Sequence, residues 1–503
     1  MSQQLITDVI STIAKPVDTF FELGVDREIL LADYDKPVFK IVKTIADHSI
    51  TQKYINGNKL MIEGFFRITV FYQPPGGDKL TVISKKQPFR KQLDLSAAIH
   101  EPYFAKINGS LQYINTRAIN STRIAINGVY QFDVCLYCSE KTAVATAIDS
   151  KTSCADSEET VFFSLCGSGI KQFSSEDEIQ IPADMDKILH ITSKNGAMTI
   201  NCYQDKVNVK GDIYADVVFT TQGEEDIKHI IKKFSYNQII DIPGVTELSI
   251  AYADTDTLGF TVSQNTDSSK INCIISAYID VKAFTRQSVI TVRDAFSKSF
   301  QYEKNIKMLQ TDKNITSVNK TAICTVEDTV AGEYIPVYSF VNVSQPETAF
   351  SNGKNILRSK ATVSVIVTNR QKEYECFAKS EEIVLDTGKE INIANMYMLN
   401  CNVSEKEVSI NNGIMKAVFS VDLTGFVLEK NEFMVLDEYS ENTDLSLSQP
   451  EDALILYYAD KGEKVFDIAM KYHTDVSAII EENSLETKTM SESRMLFVPQ
   501  YGL

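Results

Sequence analysis

The chain has 503 residues, 44% of them hydrophobic and 23% charged, which is typical of folded globular protein and too long for one hydrophobic core. Its 50 basic and 67 acidic residues leave a net charge of −17, and this charge repels nucleic-acid backbones and anionic lipid surfaces. No apolar run reaches the roughly 18 residues that span a bilayer. We therefore predict several packed domains, no nucleic-acid partner and no membrane insertion.

Residues 1–32 form a predicted N-terminal segment whose first part has the spacing of a short amphipathic helix. Leu5, Val9 and Ile13 would share one helical face, and the helix would end near Pro16. The segment lacks an early basic residue, and Asp8 interrupts its apolar positions, so it does not match a signal peptide. The nine cysteines, an odd number, suit reduced thiols. Both features predict a cytoplasmic protein.

Three later segments repeat one pattern, in which a lysine is followed five positions on by a small residue. The segments are KLMIEGFFRITVFY, KVNVKGDIYADVVFT and KNILRSKATVSVIVT. Their small residues, Gly64, Gly211 and Ser359, lie 147 and 148 positions apart. This spacing is far longer than a solenoid repeat, so it indicates whole domains in tandem.

Beyond each small residue, apolar side chains alternate with other residues, which predicts a strand with one buried face. Glycine at the same place in two copies predicts a bulge or a sharp bend. A second landmark follows 23 to 25 residues later, with the sequences PFRKQLDL, KFSYNQIIDI and EEIVLDT. Each copy is therefore predicted to be mainly β, as a sandwich or a barrel-like sheet. The alternating residues are Phe66, Ile68, Val70, Tyr72, Ile213, Ala215, Val217, Phe219, Ala361, Val363, Val365 and Val367.

The last part of the chain changes character. LILYY reads as a short strand, VFDIAMKY and VSAIIEEN as two helices, and MLFVP as a second strand, giving a β-α-α-β module. Thr474 is the predicted N-cap of the second helix. The predicted divisions are residues 33–150, 160–300 and 309–432 for the three β-rich domains, 440–451 for a linker, and 452–503 for the module.

The module resembles the LysM family. The resemblance rests on an aromatic strand, a turn with glycine, a Lys-Tyr step, an Asn-x-Leu helix end and a final strand that ends in proline. Glu463 and Lys464 depart from it, because Asp-Thr is common there. The matching residues are Tyr457, Tyr458, Gly462, Lys471, Tyr472, Asn483, Leu485, Val498 and Pro499. The resemblance implies two binding loops, formed by Lys461, Gly462, Glu463 and Lys464 and by Asn483, Ser484, Leu485 and Glu486.

The upstream repeats resemble the SPOCS domain, with the third copy the most divergent. The segment DYDKPVFKIV resembles the start of such chains, and VRDAFSKSF resembles their Asp-Ala-Tyr-Ser element, with Phe296 in place of tyrosine. This element is either a docking site or an inter-domain turn, and Asp294 and Ser297 favour the turn. Tandem SPOCS domains followed by one LysM domain are the arrangement of the SipL/SpoVID-type family of spore coat morphogenetic proteins.

This resemblance implies a function in sporulation. It implies a scaffold in the mother-cell cytoplasm, at the forespore surface, whose LysM domain binds the coat basement ATPase SpoIVA. The SPOCS domains would bind other coat proteins. The alternative is a cell-wall or cortex protein that binds the N-acetylglucosamine of peptidoglycan through the same loops.

Catalytic motifs are missing from the sequence. It contains no phosphate-binding loop, dinucleotide fingerprint, zinc-protease motif or nucleophile elbow, and its five histidines are widely separated. Cys135 and Cys138 form a CxxC pair, but they lie in a predicted strand, where positions three apart face opposite sides. We predict no enzymatic activity, no metal and no cofactor.

Overall fold

The structure is a computed structural model that describes residues 5–77, 79–182, 184–222, 227–264, 270–447 and 454–499. Antiparallel strands make up most of these residues, which confirms the mainly β prediction. They form three β units and a small terminal module. Neither helix of the described chain has the length or apolar character needed to cross a membrane.

Unit 1 consists of two antiparallel sheets. One sheet has the order β3-β4-β5, and the other has the order β1-β7-β2 with β6 also paired to β7. The strands are β1 (Leu5–Gly24), β2 (Arg27–Leu30), β3 (Lys40–Asn56), β4 (Lys59–Gln73), β5 (Thr81–Asp94), β6 (Tyr103–Asn120) and β7 (Arg123–Ile148).

Units 2 and 3 repeat this arrangement. In unit 2 the first sheet has the order β9-β10-β11, and in unit 3 β17 pairs with β15 and β16 on one side and with β18 on the other. The second sheets of the two units are joined into one six-stranded sheet with the order β12-β13-β8-β14-β20-β19. Unit 2 contains β8 (Ser153–Gln180), β9 (Met185–Tyr203), β10 (Lys206–Thr221), β11 (Ile227–Asp241), β12 (Ile250–Gln264) and β13 (Lys270–Ser297). Unit 3 contains β14 (Phe300–Thr329), β15 (Ile335–Val343), β16 (Glu347–Ser351), β17 (Lys354–Thr368), β18 (Tyr374–Leu385), β19 (Met396–Asn411) and β20 (Ile414–Ser446).

The terminal module contains β21 (Leu454–Ala459), α1 (Val465–Tyr472), α2 (Val476–Glu482) and β22 (Arg494–Pro499). Its two strands pair antiparallel, with Tyr457 opposite Leu496. The β-α-α-β order predicted from the sequence is therefore confirmed.

The repeated segments form the central strands β4, β10 and β17. All twelve alternating side chains predicted to be buried are at most 1% exposed, so this prediction is confirmed. In unit 1 they pack against the opposite sheet, where Phe132 and Leu136 of β7 are also fully buried. Each unit is thus a sandwich of two sheets, and none of the described sheets closes into a barrel.

The repeated glycines are required by a close approach of neighbouring strands. Gly64 lies opposite Phe89 and Gly211 lies opposite Tyr236. A Cβ atom at Gly64 would lie 2.3 Å from the Ser49 carbonyl oxygen, and one at Gly211 would lie 2.5 Å from the Tyr236 hydroxyl. The aromatic residue of the second landmark therefore covers the glycine of the first.

The bulge predicted at these glycines lies in the neighbouring strands. A register shift between Ile50 and Gln52 gives β3 the extra residue beside Gly64, and a similar shift beside Gly211 gives it to β9. In unit 3 the corresponding cross-strand pair is Ser359 and Ile383.

The predicted N-terminal helix is wrong. Residues 5–24 form β1, which pairs with β7 from Leu5 opposite Ile148 to Gly24 opposite Val129. A spacing of four residues is even and fits one face of a strand as well as a helix, so the long partner strand decides the conformation. Pro16 lies at a register shift, where its missing N–H costs no ladder hydrogen bond.

Polar segments predicted to separate the domains are also strand. Residues 153–159 belong to β8, and residues 440–446 of the predicted linker continue β20. Residues 448–451 lie outside the described chain. These segments pair in antiparallel ladders with one solvated face, and serine and acidic residues are readily placed on that face.

The long strands that begin and end each unit pair with each other: β1 with β7, β8 with β13, and β14 with β20. Beyond the sandwiches these three pairs pack together, and we call this part of the molecule the stalk. All three pairs contribute to its buried interior. Two buried clusters occupy it: Ile10, Val144 and Phe162, and further along Ala145, Val292, Ala295, Leu436 and Tyr439.

Equivalent residues of the three units meet where the units contact each other. One buried cluster contains Phe71, Val218 and Ile366, each seven positions after its repeat's small residue. Another contains Tyr137, Phe284 and Phe426. Each lies four positions after an aspartate in the last strand of its unit, namely Asp133, Asp280 and Asp422. Because the same positions converge twice, the units are arranged around a pseudo-threefold axis.

A buried ionic network also joins the units. Lys53 of unit 1 contacts Asp280 of unit 2 at 2.5 Å, and Lys282 contacts Asp254 at 2.7 Å. Asn400 of unit 3 donates to Asp254 at 2.6 Å. Burial opposes ionisation of Asp280, but the two lysines outweigh it and lower its pKa. The network links residues of all three units.

Candidate partner-binding site

The terminal module has its own small core between the two-stranded sheet and the helices. Asp475 is the N-cap of α2 and accepts a hydrogen bond from the Ser477 amide at 2.9 Å. The prediction that Thr474 caps this helix is wrong, because its hydroxyl donates to the Pro499 carbonyl at 2.5 Å. The fully buried core residues include Ala459, Val465, Ile468, Ala469, Ile479, Leu496 and Val498.

The core of the module extends onto the tip of the stalk. Phe296, in the segment VRDAFSKSF, is fully buried and meets the Phe466 ring edge-on, with 5.3 Å between the ring centroids. Lys298 pairs with Asp475 at 2.8 Å, and Lys464 pairs with Asp156 of β8 at 3.0 Å. An aromatic contact and two ion pairs therefore help to hold the module on the stalk.

The segment is both a turn and a docking site. The Ser297 hydroxyl accepts hydrogen bonds from the amides of Ser299 and Phe300, which fixes the turn between β13 and β14. The Ser297 carbonyl lies 3.1 Å from Nδ1 of His473 in the module. Sequence reasoning favoured the turn alone, since it could not show that Phe296 points into another domain.

The ion pair at the docking contact is electrostatically strong. Partial burial opposes ionisation of Asp475, but hydrogen bonds from Lys298 and Ser477 outweigh it and lower its pKa to about 2. The same pairing raises the pKa of Lys298 despite its partial burial. Both groups are charged at neutral pH.

The first predicted binding loop is tied into the module. Gly462 adopts a φ of 90° and donates its N–H to the Met490 carbonyl at 2.8 Å. The Glu463 carboxylate accepts hydrogen bonds from the Tyr457 hydroxyl at 2.7 Å and from the Asp460 amide at 3.0 Å. That bond to Glu463 raises the pKa of Tyr457 to about 12. The Lys461 side chain is exposed.

The second predicted loop is only partly accessible. Ser484 and Glu486 are exposed, whereas Leu485 packs against the module core. Asn483 is 8% exposed, and its amide bonds to the Ile479 carbonyl and to the backbone of β22. Asn483, which matches the family pattern, therefore stabilises the fold of the module.

A third segment packs against the first loop. Residues 488–490 lie against the first loop, because Val465 donates to the Lys488 carbonyl and Lys464 forms an isolated bridge with Thr489. Of the eight predicted residues, five are exposed: Lys461, Gly462, Lys464, Ser484 and Glu486. Lys464 takes part in docking, and the backbone of Gly462 is bonded to Met490.

Sequence reasoning missed a surface on the other side of the module. The sheet turns four large apolar side chains away from the helices, as two cross-strand pairs. They are Leu456, Tyr458, Met495 and Phe497, with exposed fractions of 60%, 59%, 54% and 44%. Both faces of these short strands are apolar, and the sequence alone does not indicate which face is solvated. We call this surface the sheet patch.

Elsewhere, titratable groups are scattered. The described residues contain no group of three or more His, Cys, Asp or Glu side chains placed to hold a metal ion. His190 is buried and His48 is partly buried, and desolvation lowers the pKa of each to about 4. All nine cysteines are free, and burial raises the pKa of Cys135 and of Cys138.

Comparison with known proteins finds one family. Residues 37–119 and 184–265 match the family model described as SipL, SPOCS domain. Two regions of this chain are therefore similar to the SPOCS domain. The first SPOCS region covers β3 to β6 and the second covers β9 to β12, which are the equivalent blocks of units 1 and 2. No curated protein and no solved structure matches the chain.

Proposed function

We propose that this chain is a non-enzymatic scaffold of spore coat assembly. Its terminal module acts as a LysM domain that binds the coat basement ATPase SpoIVA and so tethers the coat to the forespore surface, in the mother-cell cytoplasm. The observation that carries the proposal is the SPOCS match in two of three structurally equivalent units. The β-α-α-β module at the stalk tip supports it.

The geometry supports a tethering role. Phe284 lies at the junction of the units and Phe296 at the stalk tip, twelve residues further along β13, which corresponds to about 40 Å of strand. The module is thus held well away from the sandwiches. A rigid spacer of this kind leaves the surfaces of the three units free to bind other coat proteins while the module is engaged.

A chain that makes several contacts within one polymeric assembly would gain avidity. Each contact after the first is effectively intramolecular, so modest affinities combine into stable attachment. We propose that the SPOCS units make these further contacts, with other coat proteins.

Co-sedimentation tests the proposal against its alternative. The purified full chain is mixed with polymerised SpoIVA or with purified peptidoglycan at physiological salt, and a chain lacking residues 452–503 is the control. We expect the full chain to sediment with SpoIVA and the truncated chain to stay in solution. Sedimentation with peptidoglycan and not with SpoIVA would favour the cell-wall function instead.

A further inference from the structure

The two edges of the module's sheet differ. On the β22 side, the Asn483 side chain donates to the Phe497 carbonyl at 2.7 Å and accepts from the Phe497 amide at 2.8 Å. The Thr474 hydroxyl bonds the Pro499 carbonyl further along. These side chains occupy the hydrogen-bonding groups that an added strand would need, so this edge is closed.

This arrangement fixes the direction of the backbone groups on the other edge. Because both polar groups of Phe497 point to Asn483, Phe497 and its cross-strand partner Leu456 form a non-hydrogen-bonded pair. The N–H and carbonyl of Leu456 therefore point away from β22. Tyr458, two residues on, has the same orientation, since the ladder pattern alternates.

The outer edge of β21 is open in the described chain. β21 pairs only with β22 among the described strands, and no described residue bonds the outward backbone groups of Leu456 or Tyr458. The same two residues contribute half of the sheet patch. Hydrogen-bonding groups and apolar side chains are thus presented together.

The area of the sheet patch limits what can bind there. Its four partly exposed side chains offer roughly 400 Å² of surface, about half of the area that each partner contributes to a standard protein interface. If a second copy of this chain bound there, the buried area would be too small for a stable dimer. A single extended segment fits, because it adds backbone hydrogen bonds to the apolar contact.

We propose that the outer edge of β21 binds an extended strand of the partner protein, in which apolar residues alternate. Alternate side chains of that strand lie beside Leu456 and Tyr458, and its backbone pairs with theirs. This inference rests on the proposed function, which makes the partner SpoIVA. It moves the binding site from the predicted loops to the edge strand β21.

Binding measurements on the full chain test the proposal, with immobilised, purified SpoIVA as the probe. The Leu456→Glu/Tyr458→Glu double variant places charges at the centre of the contact, and we expect its Kd to rise at least tenfold. The Leu248→Glu variant is the matched control, because Leu248 lies in unit 2 and is 88% exposed. A Lys461→Ala/Glu486→Ala variant tests the predicted loops.

Each outcome decides a different point. Weaker binding by the Leu456→Glu/Tyr458→Glu variant (the edge variant), with unchanged binding by the control and loop variants, supports binding at the outer edge of β21. Unchanged binding by the edge variant overturns this inference and leaves the proposed function standing. Failure of the unmodified chain to bind contradicts the proposed function and the named occupant together.

Hydrogen exchange separates strand pairing from simple apolar contact. We expect amide exchange in residues 454–459 to slow when SpoIVA is bound, because the outward N–H groups of Leu456 and Tyr458 acquire acceptors. Unchanged exchange there in the bound state would overturn the strand-pairing geometry.

Discussion

The contact of Phe296 with the terminal module leads to a sharp prediction. Phe296 is fully buried between the stalk and the module and packs edge-on against Phe466. Truncating a buried phenylalanine to alanine costs about 3–5 kcal/mol. The cost falls on docking, because the Phe296 side chain lies in the module's cluster rather than in a sandwich core.

The module is small and near the lower limit for independent folding, so docking contributes to the protection of its amides. We expect Phe296→Ala to lower the free energy of opening by about 3 kcal/mol, which speeds amide exchange in residues 465–482 more than a hundredfold. Hydrogen exchange with mass spectrometry measures this rate. The control is Phe20→Ala, at a residue of β1 in unit 1 that is 63% exposed.

Wild-type exchange rates in α1 and α2 of the Phe296→Ala chain would refute the reasoning. The module would then be stable without the stalk, and the buried aromatic contact would contribute nothing to docking.

Three further predictions concern stability. The pKa of Asp475 is lowered to about 2, so its charge stabilises the fold above about pH 4, and this contribution is lost between about pH 4 and 2. The melting temperatures of wild type and Asp475→Asn should converge over that range, and a constant difference would contradict the ion pair. Asp280→Ala should lower the free energy of unfolding in urea by about 3–5 kcal/mol, because it leaves buried lysines without their counter-ion. The control Asp241→Ala, at a side chain that is 82% exposed, should change it by under about 0.5 kcal/mol. Equal effects would argue against the network. Gly64→Ala should cost about 1–3 kcal/mol in the same assay, and Ser359→Ala, at the equivalent position in unit 3, less than about 1 kcal/mol.

Period-two patterns predicted the central strands well. Phe66 and its equivalents alternate with residues of different character, and one sandwich face buries them in every unit. The terminal module was also predictable, because short strands and helices with clear apolar faces follow in a compact order. In both cases the pattern that indicates the structure is local in sequence.

Contacts between units were not predictable. Phe71, Val218 and Ile366 lie on the second face of the central strands, and only the pseudo-threefold packing explains their burial. The stalk strands were missed because their polar residues have the composition of loops, although each finds a partner strand more than 100 positions away, as Leu5 does with Ile148.

The candidate site shows a similar limit. A family pattern assigns Asn483 to a binding loop, whereas its side chain closes the edge of β22. That bond depends on how the chain folds back over 14 residues, which no local pattern encodes. Because this bond closes the β22 edge, only the β21 edge stays open, and the sequence does not predict that either.

Localisation in sporulating cells tests the central claim most directly. A fluorescent fusion of the full chain is compared with one lacking residues 452–503. We predict that the full chain collects around the forespore and that the truncated chain stays diffuse in the mother cell. Normal collection of the truncated chain at the forespore would contradict the role of the terminal module.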